Sequence, residues 1–109
     1  MNPLEEKGGN MISIDQGGIY KVEGLKGLYL VASKDFFNRN DQAILCPLVK
    51  ESFDDPLHII VHTPESDGIV LCEQIKMIDL RYRGFSKVSQ LEISDVMNIT
   101  DAIQSIFDY

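Results

Sequence analysis

Residues 17–32 read GGIYKVEGLKGLYLVA. A glycine pair opens the run Ile19–Val22, where apolar and charged side chains alternate as in a half-buried strand. Gly24, Leu25, Lys26 and Gly27 follow as a tight connection with a glycine at each end. Leu28–Ala32 then forms a second strand, apolar enough to be central in its sheet.

Working outward, Phe36–Asn38 reads as a short helical turn capped by Ser33 or Asp35. Ala43–Val49 reads as a third strand, and its Pro47, which cannot donate a ladder bond, marks an edge or a bulge. Leu57–His62 is a fourth strand between Pro56 and Pro64, and Ser66, Asp67 and Gly68 form the turn after it. Ile69–Cys72 and Lys76–Asp79 are short strands on either side of Glu73 and Gln74, and Phe85–Val88 is one more. The tail differs. Ser89 and Glu92 have capping-box spacing, and Ile93, Val96, Met97, Ile99, Ile103, Ile106 and Phe107 recur at steps of three and four. That pattern predicts an amphipathic helix of about four to five turns. Close-spaced strands before one terminal helix make an α+β fold: a small, strongly curved antiparallel sheet or barrel, with a short helix after the second strand and a C-terminal helix closing it.

The chain has 109 residues, enough for one core. Residues 1–16 read as a flexible N-terminal segment and 17–109 as the single domain. No apolar run approaches the ~18 residues of a membrane span. The start MNPLEEKGGN lacks the apolar centre of a secretory signal. Cys46 and Cys72, each inside an apolar run, read as buried thiols of a cytoplasmic protein.

The formal net charge is −7, which excludes a uniformly basic nucleic-acid binder. Its distribution is uneven. Residues 17–50 hold five basic and three acidic groups, and residues 76–87 hold four and one. Residues 51–75 hold six acidic groups and no basic one, and residues 88–109 hold four and none. An anion-binding face therefore has two places to form. Lys76, Arg81, Arg83 and Lys87, interleaved with Tyr82 and Phe85, make the better of them, although such a stretch is more often a solvated face. His58 and His62 have the spacing of a helical metal motif, but on a strand four residues span roughly 13 Å, too far for one zinc. They read as surface or half-buried histidines, and no metal or cofactor is expected.

The order of these segments resembles the MazF/PemK family of toxin ribonucleases. Gly18–Val22 is similar to that family's opening strand. Leu28–Ser33, followed by Phe37, Asn38 and Arg39, is similar to its second strand and the short helix ending in Asn-Arg. Ile44–Leu48 resembles its third strand with a Pro-apolar pair. Val70–Asp79, VLCEQIKMID, resembles its most recognisable block, and the final helix also fits.

The resemblance implies an SH3-like barrel that pairs as a homodimer. It implies a metal-independent endoribonuclease acting on single-stranded RNA, partnered by an acidic antitoxin peptide, with no membrane role. In that chemistry a 2′-hydroxyl attacks its own phosphate, a base takes its proton, and cations hold the developing charge. Glu73 matches the acidic position of the last block and is the candidate base. The family's first loop is longer and ends in Arg-Pro, so Lys26 is the candidate catalytic cation here. Lys76, Arg81 and Arg83 are candidate RNA contacts. Where the family has Thr or Ser after the third strand, this chain has Val49, and Ser52 supplies a hydroxyl only if its loop folds back. The alternative expectation is a catalytically silent domain of this fold, acting as a binding or regulatory module.

Overall fold

A computed structural model of the protein describes residues 14–65 and 67–107. Seven strands and two helices follow one another: β1 (Gly18–Val22), β2 (Leu28–Val31), α1 (Asp35–Asn38), β3 (Gln42–Val49), β4 (His58–His62), β5 (Asp67–Leu71), β6 (Lys76–Asp79), β7 (Phe85–Gln90) and α2 (Ile93–Ser105). All strand pairs are antiparallel, in the order β4-β5-β3-β2-β1-β7, with β6 also on β3. The α+β class, the short helix after the second strand and the closing helix are as the sequence implies. Gly24 and Gly27 take φ of 87° and 84°, which lets the β1–β2 connection stay short without strain.

Chain length forces the sheet to curve. β6 and β7 end the ribbon β6-β3-β2-β1-β7, yet only residues 80–84 join them. Laid flat, Asp79 and Phe85 would lie about 30 Å apart, whereas the chain between them reaches roughly 20 Å. The ribbon therefore curls, and Leu80 turns into its hollow. Alternation along each strand separates two cores. Tyr20, Val22, Tyr29, Val31, Ala43, Leu45 and Leu80 fill the concave side. Ile19, Leu30, Cys46, Val61, Val70 and Cys72 form the other side, which α2 covers with Val96 and Ile99. No pairing joins β6 to β7, so the barrel stays open along that seam.

Several local expectations shift. Pro47 lies on a central strand rather than an edge. β6 pairs with residues 42–45 of β3 and β5 with residues 48–49 on the same side, so the residue lacking a donor falls where that ladder is interrupted. Neither Ser33 nor Asp35 caps α1, whose N-cap is Lys34 without a side-chain bond. Instead the Ser33 hydroxyl donates to Asn38 Oδ1 at 2.5 Å and accepts the Ile44 amide at 2.9 Å. Asp35 accepts the Gln16 amide. Ser89 makes no capping box, because β1 draws it into β7 opposite Ile19, and Glu92 is the N-cap of α2. α2 has 13 residues, shorter than four turns. Asp67 and Gly68 belong to β5, so the β4–β5 turn lies earlier than expected.

The expected flexible segment lies, for residues 1–13, outside the described residues. Ile14 accepts from Asn38, Asp15 donates to the Tyr20 hydroxyl, and Gln16 donates to the Ala32 carbonyl. Among the described residues no helix is long and apolar enough to cross a membrane.

Candidate active site

Strand register brings the candidate base to an unexpected partner. β4 pairs with β5 so that His58 lies opposite Leu71. The Cys72 amide then bonds the Leu57 carbonyl at 2.9 Å, and Gln74 N closes a turn on Leu71 O at 3.1 Å. Glu73 thus sits on the turn after β5, above the first residue of β4. Its Oε2 lies 3.0 Å from His58 Nε2. The His58 side chain is 4% exposed and that of Glu73 is 34% exposed.

The β3–β4 loop closes the other side of the imidazole. Asp55 turns this loop back, accepting the Leu57 amide on its side chain and the His58 amide on its carbonyl, each at 2.9 Å. The Phe53 carbonyl then meets His58 Nδ1 at 2.8 Å, and Ser52 Oγ lies 3.2 Å from the same nitrogen. The Phe53 ring tilts over the imidazole, with centroids 4.9 Å apart. The loop does fold back, and it delivers the Ser52 hydroxyl to His58. Val49 stays in the ladder opposite Ile69.

Both ring nitrogens of His58 thus face acceptors. A carbonyl can only accept, so Nδ1 carries a proton, and a carboxylate at Nε2 requires one there too. The Glu73 contact and then the Phe53 carbonyl raise the imidazole above its ordinary value. The His58 hydrogen bond holds the Glu73 carboxyl below the usual range. Both shifts favour the imidazolium–carboxylate form of the pair, and Asp55 adds a smaller upward push on the imidazole.

The candidate cations lie elsewhere. Lys26 is exposed on the β1–β2 connection, and Lys76 opens β6 opposite Leu45. Neither has an ion-pair partner among the described residues. Arg83 Nη1 donates to the Glu23 carbonyl at 3.0 Å, and the Gly84 amide donates to Glu23 Oε1 at 3.1 Å. These bonds staple the β6–β7 connection to the one that bears Lys26. Arg81 is committed to Asp79, with Nη2 to Oδ2 at 2.6 Å and Nε to both oxygens, and this holds the Asp79 carboxyl down to about 2. The structure therefore gathers Arg83 to the Lys26 loop and Glu73 to His58. Among the described residues no hydrogen bond or ion pair links these two groups.

Cys46 and Cys72 are buried and free. Burial pushes their thiols up to about 12 and about 11, which removes them as nucleophiles. His62 is exposed and bonds Asp67 at 2.7 Å. Among the described residues no three His, Cys, Asp or Glu side chains converge as ligands.

Sequence reasoning passed over His58 as a functional residue. The usable signal was the length of the β4–β5 hairpin. A turn centred on residues 66–68 puts Lys76 opposite His58, whereas the observed register puts Leu71 there and Glu73 beside it.

The comparisons with known proteins follow this architecture. A family model described as PemK-like, MazF-like toxin of type II toxin-antitoxin system matches residues 15–107. A MazE-MazF structure from Deinococcus radiodurans superposes with a TM-score of 0.78 at 18% identity, covering 88% of this chain and 97% of that one. An endoribonuclease from Mycobacterial species superposes at 0.75 with 16% identity, covering 90% and 94%. A Mycobacterial endoribonuclease in complex with its cognate antitoxin gives 0.75 at 15% identity, covering 87% and 95%. No curated protein sequence matches the chain. The structural likeness, at such low identity, speaks for the fold, and the family model spans nearly all of that fold, so the chain belongs to the PemK-like, MazF-like toxins of type II toxin–antitoxin systems.

Proposed function

We propose that this toxin is a metal-independent endoribonuclease acting on single-stranded RNA in the cytoplasm. The observation that carries the reading is Glu73, an ionised carboxylate on an accessible turn, in the block most similar to the family's own. Glu73 takes the proton of a ribose 2′-hydroxyl, whose oxygen attacks the adjacent phosphorus. The bond to the 5′-oxygen breaks, leaving a 2′,3′-cyclic phosphate. The departing oxygen takes a proton from water, and Glu73 returns its own to the hydroxide left behind. Lys26 offers a charge for the transition state, as a point charge rather than a planar fork. Lys76, Arg83 and the paired Arg81 contact the RNA backbone.

An antitoxin peptide rich in acidic residues suits the same cations, since it competes with RNA as one polyanion with another. The Deinococcus and Mycobacterial relatives solved with MazE or a cognate antitoxin support such a partner. Homodimerisation is proposed through α2, where Ile93 and Met97 remain 72% and 57% exposed on a groove shared with Ile44 and Ile103.

The test is cleavage of a long single-stranded RNA by the intact protein in EDTA. Discrete fragments bearing cyclic phosphate ends are expected, and Glu73→Gln should abolish them. No fragments, with growth unaffected by expression, would instead favour a silent binding domain.

A further inference from the structure

The cluster around His58 contains more than the proposed reaction uses. A buried imidazole in a loop-bound position has an ordinary structural duty, to tie two loops together. A neutral donor would serve for that. Here both ring nitrogens face acceptors, one a backbone carbonyl at 2.8 Å and one a carboxylate at 3.0 Å. The group at this place is therefore a cation, and among the described residues the carboxylate bonded to it is the candidate base. Taking a charge out of water is costly unless it is paired and hydrogen-bonded, as this one is on both nitrogens.

Resting on the ribonuclease reading above, we propose that His58 is the positioning residue of the site: its imidazolium, anchored on the Phe53 carbonyl and flanked by Ser52, fixes the orientation and charge of Glu73. The bond engages Oε2, and the carboxylate's further partner is the Glu73 backbone amide. One hydrogen bond to a carboxylate still allows rotation about it. Three contacts hold the imidazole itself, so that the partner of the carboxylate stays in place: Nδ1 on the Phe53 carbonyl, the tilted Phe53 ring beside it, and strand β4 beneath it. A base that leans on a fixed cation meets its proton with less reordering. The positive ring also offsets the charge of the incoming phosphate in a stretch with no Lys or Arg of its own, residues 51–75.

The ionisable groups around this pair set its pH behaviour. Glu73 and Asp55 face His58, and both raise it. For Glu73, His58 lowers the carboxyl and Asp55 opposes with a smaller upward push. The paired state therefore persists between the lowered carboxylate value and the raised imidazole value. Activity should fall on the acid side as Glu73 protonates, and on the alkaline side as His58 loses its proton.

The experiment compares the full-length protein with His58→Gln and His58→Asn on single-stranded RNA in EDTA. Gln keeps a neutral donor near Nε2, and Asn keeps one near Nδ1. Thermal melts first establish that each variant folds. The expected result is a fall in kcat of about 100-fold in His58→Gln with KM little changed, the size that misplacing a reacting group produces. Its acid limb should climb toward the ordinary carboxylate value, about 4.3, and its alkaline limb should vanish. The imidazole of His58 should also titrate by NMR above its ordinary value of about 6.5, and Glu73→Gln should bring it down. A folded His58→Gln with the parent kcat and both parental limbs overturns the role while leaving the ribonuclease intact. So does a His58 titration indifferent to Glu73→Gln. A parent protein that cuts no RNA overturns the ribonuclease reading, and this role with it.

Discussion

Asn38 is the residue whose removal tests the fold most sharply. It ends α1, is 6% exposed and makes three side-chain hydrogen bonds. Its Nδ2 donates to the Ile14 carbonyl at 3.1 Å and to the Ser33 carbonyl at 3.0 Å, while its Oδ1 accepts the Ser33 hydroxyl. One side chain thus joins the segment before β1, the end of β2 and, through Ser33, the Ile44 amide of β3. Asn38→Ala removes all three bonds and strands two carbonyls and a hydroxyl. At about 1 kcal/mol for each bond, and more where a buried partner is left unsatisfied, the loss is about 2–4 kcal/mol. For a domain of this size, that lowers the melting temperature by roughly 10–25 °C. Asn38→Asp should be no better, because a carboxylate accepts the Ser33 hydroxyl but cannot donate to the two carbonyls. Arg39→Ala, next door and exposed, is the control and should change little. The assay is urea unfolding followed by circular dichroism, with the slope checked for two-state behaviour. A loss below about 0.5 kcal/mol in Asn38→Ala would refute the reading of Asn38 as a clamp that joins these segments.

Ile99 is fully buried under α2, so Ile99→Ala should cost about 2–5 kcal/mol, whereas exposed Met97→Ala should leave the isolated fold unaffected and weaken self-association in sedimentation. Asp79 is held down to about 2 by Arg81, so that pair is present at neutral pH and is lost only as pH falls through about 2. It is exposed, and Asp79→Asn should barely move the melting temperature while freeing Arg81 to tighten RNA binding, which a filter-binding titration would show. RNA affinity should fall steeply between low and high salt, because the acidic stretches confine contacts to a few cations, and an affinity indifferent to salt would contradict this. Cys46 and Cys72 should resist thiol reagents at pH 8 in the folded protein and react once it unfolds.

The candidate residues fall into two groups. Glu73 and His58 meet on the β4–β5 side of the sheet, and Arg83 bonds the connection that bears Lys26. The short β1–β2 connection is also the one that Arg83 reaches from the β6–β7 side. Arg81, by contrast, is already neutralised by a neighbour two residues away, and sequence proximity to other basic residues conceals that.

Periodicity settled the elements: alternation gave the strands, the three-and-four spacing gave α2, and the paired glycines gave the first turn, because these signals act between near neighbours in the chain. The Val70–Asp79 block placed Glu73 on a turn between two strands for the same reason. What the tertiary structure alone decided were the facts that depend on register and closure. Ser89 looked like a cap until β1 claimed it for the sheet. Pro47 read as an edge or a bulge, and the structure puts it on central β3 at the break where β5 and β6 share one side. His58 looked inert until the β4–β5 register set it beside Glu73 and the β3–β4 loop closed over it. A shift of a few residues in a hairpin turn changes which side chains meet across the strands, and no local propensity carries that information.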